Sequence, residues 1–299
     1  MLGLGELFDY QECSDCGTVQ IREPPVDMAR YYPPHRYYSF RSKEQPPVGR
    51  LKGLLRRQRN KYLAGSITPI GRILAGFKPR RDLDFLRTLK IEPDHRILDI
   101  GCGQGSLLST LAQLGYRQLL GADPFIEKNI YADGYNIKKA TIKELQPAFD
   151  LIMFHHSLEH VIDPVDALKD VCRLLGKRGV CLVRLPTPSS DVYAQYGPLW
   201  VNLDAPRHFV IPSRQGMSIA SKIAGLRIVT SKDEMTAFSH WGSEQYRCGI
   251  PLESPRSYAV SPAQSEFTPA DIERFSRMAR DANARQRGDW VQFILARED

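Results

Sequence analysis

RILDIGCGQGSLL, residues 96–108, decides the fold. A short apolar run carries Asp99 and ends in a turn with glycines at alternate positions, Gly101, Gly103 and Gly105. Leu107, Leu108, Leu111 and Leu114 then recur at helical spacing, and the run stops at Gly115. Strand, tight glycine turn and helix form the opening unit of a nucleotide-binding α/β sheet.

Working outward, the pattern keeps its rhythm. A short helix over Asp82 to Leu89 leads into the strand at Arg96 to Ile100, and a second strand, Gln118 to Ala122, ends at Asp123. Further strands are read near Asn136 to Ala140, at Phe149 to Phe154 and at Val180 to Leu185, the last entered through a turn bracketed by Gly176 and Gly179. Helices are opened by Asp163-Pro164, by Ser213 and by the box Thr268-Pro269-x-Asp271. Strands at Leu226 to Thr230 and Trp290 to Ala296 close the chain. Strands alternating with helices predict a doubly wound, mostly parallel sheet.

The 299 residues are 42% hydrophobic and 25% charged, an ordinary globular balance with ample core. No apolar run reaches the about 20 residues that span a bilayer, and the N-terminus has no signal-peptide pattern. The expectation is a soluble, cytoplasmic protein. Its net charge of +7 is concentrated, because residues 50–81 hold ten basic residues and no acidic one. Leu51, Leu54, Leu55, Tyr62 and Leu63 give that segment an apolar stripe at helical spacing. Such a helix either packs its leucines on the main domain or lies peripherally on an anionic membrane at the inner face. No base-recognition motif accompanies it, so nucleic acid is set aside.

Three parts follow: an appendage over 1–48, a basic helical linker over 49–81, and an α/β domain over 82–299. In the appendage Cys13-x-x-Cys16 supplies half of a zinc set that normally has four ligands, and the nearest histidine, His35, sits in a loop rich in proline and tyrosine. Cys102, Cys172 and Cys181 read as reduced thiols.

Two cofactors fit a glycine turn followed by an acidic strand end. A nicotinamide site wants G-x-G-x-x-G, with its pyrophosphate on the helix N-terminus. Here Ser106 stands where the third glycine would be, and Asp99 precedes the turn, where an anionic pyrophosphate is repelled. S-adenosylmethionine carries an ammonium and a sulfonium but no phosphate, and a carboxylate beside the turn suits that cation. Asp123 can accept bonds from both ribose hydroxyls. Charge therefore favours S-adenosylmethionine.

With Asp99 to Gly105 (D-x-G-x-G-x-G), Asp123, FDLIMFHHSLEHV (149–161) and LLGKRGV before the fifth strand, the chain resembles class I S-adenosylmethionine-dependent methyltransferases. LDAPRHFV (203–210) and GDWVQF (288–293) are similar to a bacterial branch found among saccharide and secondary-metabolite genes. The resemblance runs from Ile91 to the C-terminus. It implies a Rossmann-like sheet of seven strands, the last antiparallel. The appendage resembles the zinc head of some sugar methyltransferases, in which two CxxC pairs share a metal, so Cys13 and Cys16 would be two of its ligands. Ubiquinone-type O-methyltransferases carry E-x-x-E-H, a suggested metal site, at positions similar to His156, Glu159 and His160.

The loop after the fourth strand places His155, assigned to the cofactor with Asp99, Gly101, Gly103, Gly105 and Asp123, beside His156. A histidine in its ordinary range is a suitable base for deprotonating an acceptor, which makes His156 and His208 the catalytic candidates. Glu159 and His160 are read as capping and orienting the loop. Arg207 would face an anionic or hydroxylated substrate and Trp200 would stack on its ring. The expected activity is methyl transfer to a small-molecule or saccharide acceptor, on oxygen. The alternatives are an NAD-dependent oxidoreductase and a non-catalytic S-adenosylmethionine-binding protein. The sequence leaves the oligomeric state open.

Overall fold

A computed structural model describes residues 5–32, 50–63, 65, 68–77 and 83–298. The strands among them are β1 (Tyr10–Glu12), β2 (Val19–Ile21), β3 (Arg96–Ile100), β4 (Gln118–Ala122), β5 (Ile130–Ala132), β6 (Tyr135–Lys138), β7 (Phe149–His155), β8 (Leu175–Pro186), β9 (Val210–Ile211), β10 (Leu226–Asp233) and β11 (Trp290–Arg297). An eight-stranded sheet runs in the order β10-β11-β8-β7-β3-β4-β6-β5, and a three-stranded sheet in the order β1-β2-β9. β3 and β7 read as nearly continuous apolar runs because both faces of a parallel sheet are covered; Ile97, Leu98, Leu151, Ile152 and Met153 are fully buried.

The chain divides into two compact units: the described residues of 34–153 with 174–179, and those of 1–33, 154–173 and 180–299. In the first, β4 pairs in parallel with both β3 and β6. β5 adds an antiparallel edge strand to β6, which makes eight strands where seven were expected. Its cause is local, since Asp133-Gly134 forms a tight turn with Gly134 at φ 83°. In the second unit, β11 pairs antiparallel with both β8 and β10, as the closing strand was expected to do.

The helix starts are those the caps announce. Asp163 accepts from the Asp166 N–H, Ser213 from that of Gly216, and Thr268 exchanges reciprocal bonds with Asp271. Gly176 and Gly179 do not bracket a turn. They lie inside β8, where a Cβ on Gly179 would sit 2.5 Å from the Phe149 carbonyl oxygen. They are glycines because backbone approaches backbone there.

Two further expectations change. Residues 5–32 are not a separate head: β2 pairs with β9, and the Tyr10 hydroxyl donates to the His208 carbonyl at 2.8 Å. The basic segment forms two helices, Arg50–Leu63 and Pro69–Phe77, and Leu51, Leu54 and Leu55 of the first are exposed rather than packed on the main domain. His35 and Asp82 lie outside the described residues.

Candidate functional site

Each unit carries one group of functional side chains. In the first, Gly101, Gly103 and Gly105 adopt φ of 72°, 53° and 74°, left-handed values that only glycine takes without strain. The turn is fastened to the end of β4. Gly101 N–H donates to the Ala122 carbonyl at 2.8 Å and Gly103 N–H to Asp123 Oδ2 at 2.9 Å. Asp123 Oδ1 accepts from the Phe125 N–H at 2.8 Å, so each oxygen keeps a second lone pair for a ligand hydroxyl. Asp99 is buried, and burial followed by the charge of Asp123 pushes its carboxyl up to about 8. Two carboxylates buried together are costly unless a cation joins them. A ligand with an ammonium and a sulfonium relieves that cost, whereas a pyrophosphate adds to it. The residues present therefore fit S-adenosylmethionine.

The second group forms where β7 ends. His155 lies with Nδ1 3.5 Å from the Arg184 guanidinium, and burial, then Arg184, holds it neutral. His156 turns the chain at φ 55°, a conformation unusual for a side chain with a Cβ, and its ring lies 4.2 Å from that of Trp290. The next turn buries Glu159 completely. Its Oε1 sits 3.8 Å from His156 Nδ1 and 3.9 Å from His208 Nε2, too far for hydrogen bonds, and neither carboxyl oxygen has a hydrogen-bond partner. Burial pushes Glu159 up to about 8.

The histidines are oriented from behind. His208 Nδ1 donates to the Asn202 carbonyl at 2.8 Å, which leaves Nε2 as the free lone pair facing Glu159. His160 Nδ1 donates to the Arg207 carbonyl at 2.9 Å and lies 3.0 Å from the Tyr32 hydroxyl. Asp204, at φ 41°, is gripped by Arg207 at 2.6 Å and also lies 3.7 Å from His208 Nε2. Burial, then Arg184, holds His156 at about 3, and burial, then His160, holds His208 at about 3. The expectation of histidines in their ordinary range is thus corrected: both imidazoles are neutral, and Glu159 is the group that titrates nearer neutrality.

Trp200 cannot stack on a substrate, because it is fully buried with Nε1 donating to Asp289 at 2.7 Å. Arg207 is buried by its grip on Asp204 but lines a cavity of about 360 Å³. Aromatic Phe8, Tyr31 and Tyr246 and the acidic Glu6 and Asp204 share that wall. Phe8, Tyr31 and Tyr32 come from the N-terminal stretch, which composition alone did not connect with the site.

Glu159, His160 and His208 each offer one ligand atom within 4.8 Å of the others, a two-imidazole, one-carboxylate set suited to zinc-like ions rather than magnesium. Among the described residues no third ligand joins Cys13 and Cys16. Cys13 is exposed, and Cys16 donates to the Thr18 hydroxyl at 3.3 Å.

Residues 71–231 match the family model described as a methyltransferase domain. Curated relatives named ubiquinone biosynthesis O-methyltransferase are similar. That of Bradyrhizobium diazoefficiens is 33% identical over 33% of this chain and 42% of its own length, and that of Cereibacter sphaeroides 34% identical over 36% and 48%. The chain thus matches less than half the length of these two relatives. An S-adenosylmethionine-dependent methyltransferase structure from Mesorhizobium loti is 16% identical over 71% of this chain and 97% of that one, with a TM-score of 0.45.

Proposed function

The chain belongs to the methyltransferase-domain family and is an S-adenosylmethionine-dependent enzyme, and from that premise we propose that it methylates a hydroxyl oxygen of a small molecule, of saccharide or comparable polar class. S-adenosylmethionine supplies an electrophilic sulfonium methyl. Asp99, Gly101, Gly103, Gly105 and Asp123 hold it in this reading: Asp99 meets the positive charge and Asp123 the ribose. The relatives' names support oxygen as the acceptor atom.

The observation that carries the proposal is Glu159. A carboxylate buried with both oxygens unpartnered is expensive to keep. An acceptor hydroxyl would supply the missing hydrogen bond, and Glu159 would take its proton as the methyl bond forms. The neutral Nε2 of His208 and the ring of His156 flank that hydroxyl and hold it. Glu159→Gln keeps the shape and removes the base. It is expected to lower kcat by about 100-fold or more while leaving the affinity for S-adenosylmethionine unchanged. An unchanged kcat would contradict the assignment.

The Glu159, His160 and His208 cluster supports a second reading, in which the carboxylate and two imidazoles hold a divalent ion that binds the acceptor oxygen. Chelation separates the two. The base reading expects full activity after dialysis against EDTA, and the metal reading expects loss restored by zinc.

A further inference from the structure

The two helices of the basic segment keep several apolar side chains exposed. They are packed on each other, since a Cβ on Gly71 would lie 2.4 Å from the Gln58 carbonyl oxygen, which also accepts from the Thr68 hydroxyl at 3.3 Å. That contact uses the C-terminal end of the stripe, where Tyr62 lies against Gly71, and leaves the leucines of its N-terminal end exposed. Leu51 is 72% exposed, Leu54 55%, Ile70 56% and Ile73 63%. Isolated exposed leucines are commonplace, but five large aliphatic residues, Leu55 included, stand exposed on one pair of short helices.

Charge names the occupant. Residues 50–77 contain seven basic residues and no acidic one. At about 3.6 residues per turn, positions 51, 54, 55, 58 and 62 share one face of the first helix. The basic positions 50, 57 and 61 then fall along one flank and 52, 56 and 59 along the other. An apolar stripe bordered on both flanks by cations is the arrangement of a helix lying in the plane of an anionic bilayer, apolar face among the acyl chains and cations at the phosphates. A protein partner would need acidic residues around its own apolar groove, and a nucleic acid would have no use for the leucines.

We propose that the Arg50–Phe77 helical pair docks this enzyme peripherally on an anionic lipid surface. The docking is reversible, because the buried stripe is short and the electrostatic part is screened by salt. It holds the enzyme at the membrane without a spanning helix; among the described residues no helix is long and apolar enough to cross one.

The test is sedimentation of the full chain with vesicles of phosphatidylcholine alone or mixed with phosphatidylglycerol. Wild type is expected to sediment with the mixed vesicles, to stay in solution with phosphatidylcholine alone, and to be released by high salt. Leu51→Ser/Leu54→Ser and Arg56→Glu/Arg57→Glu are each expected to weaken binding about tenfold, with S-adenosylmethionine affinity unchanged as the check on folding. Equal binding to both vesicle types, or a Leu51→Ser/Leu54→Ser variant that binds as wild type does, would overturn the proposal. So would a short duplex DNA bound as tightly as the vesicles with no sensitivity to the leucine substitutions.

Discussion

Asp99 shows how a single side chain can report on the ligand. Its carboxyl is raised to about 8 in the fold against 3.8 as its reference value. A group raised in this way contributes stability while it stays protonated, and that contribution is lost as the pH climbs through the folded value. The protein without cofactor is therefore expected to lose thermal stability as the pH rises from about 4 to about 8, and Asp99→Asn is expected to flatten that loss. S-adenosylmethionine places positive charge where the proton was, so its stabilising effect should grow from about pH 6 towards 8. A melting series with and without cofactor reads both, and an effect that shrank over this range would count against an ammonium beside Asp99. Asp99 itself was legible in the sequence, because a carboxylate beside a glycine turn is a local feature. Glu159 was legible as a residue but not as an unpartnered one. Its isolation depends on His156 and His208 both stopping beyond hydrogen-bond distance, which no local pattern encodes. The histidines depart from their ordinary range for the same reason, since burial set by distant segments outweighs the reference value.

Among elements, caps and apolar periodicity are legible in the sequence because they depend on neighbours within about four residues. The β5–β6 hairpin was missed although Asp133-Gly134 is a turn signal, because three residues, Ile130 to Ala132, are too short to show alternation. Trp200 was misplaced because an aromatic before a loop looks the same whether it faces a ligand or the core. What fixes it is Asp289, at the start of β11, which accepts from Trp200 Nε1, Asn202 Nδ2 and Ser239 Oγ at 2.7 to 2.8 Å. Asn202 in turn orients His208, so this carboxylate holds the element that carries the imidazole. Asp289→Ala would leave three buried donors unpaired and is expected to cost about 3 kcal/mol or more. The urea midpoint measures it, and a cost below about 1 kcal/mol would show that the network does not fasten the loop.

For the whole molecule, the alternation of strands and helices was enough to place the fold, because that alternation repeats along most of the chain. The part played by residues 5–32 was not legible. β2 finds its partner in β9 almost two hundred positions away, and Tyr32 reaches His160 across 128. The central claim is that the glycine turn between Asp99 and Asp123 holds S-adenosylmethionine. Calorimetric titration tests it, with S-adenosylmethionine and NAD on wild type and on Gly103→Arg, which puts a long cationic side chain at a left-handed position of the turn. Saturable binding of S-adenosylmethionine by wild type, none of NAD, and loss of binding in the folded variant are expected. S-adenosylmethionine bound equally well by Gly103→Arg, or not bound by wild type, would contradict it.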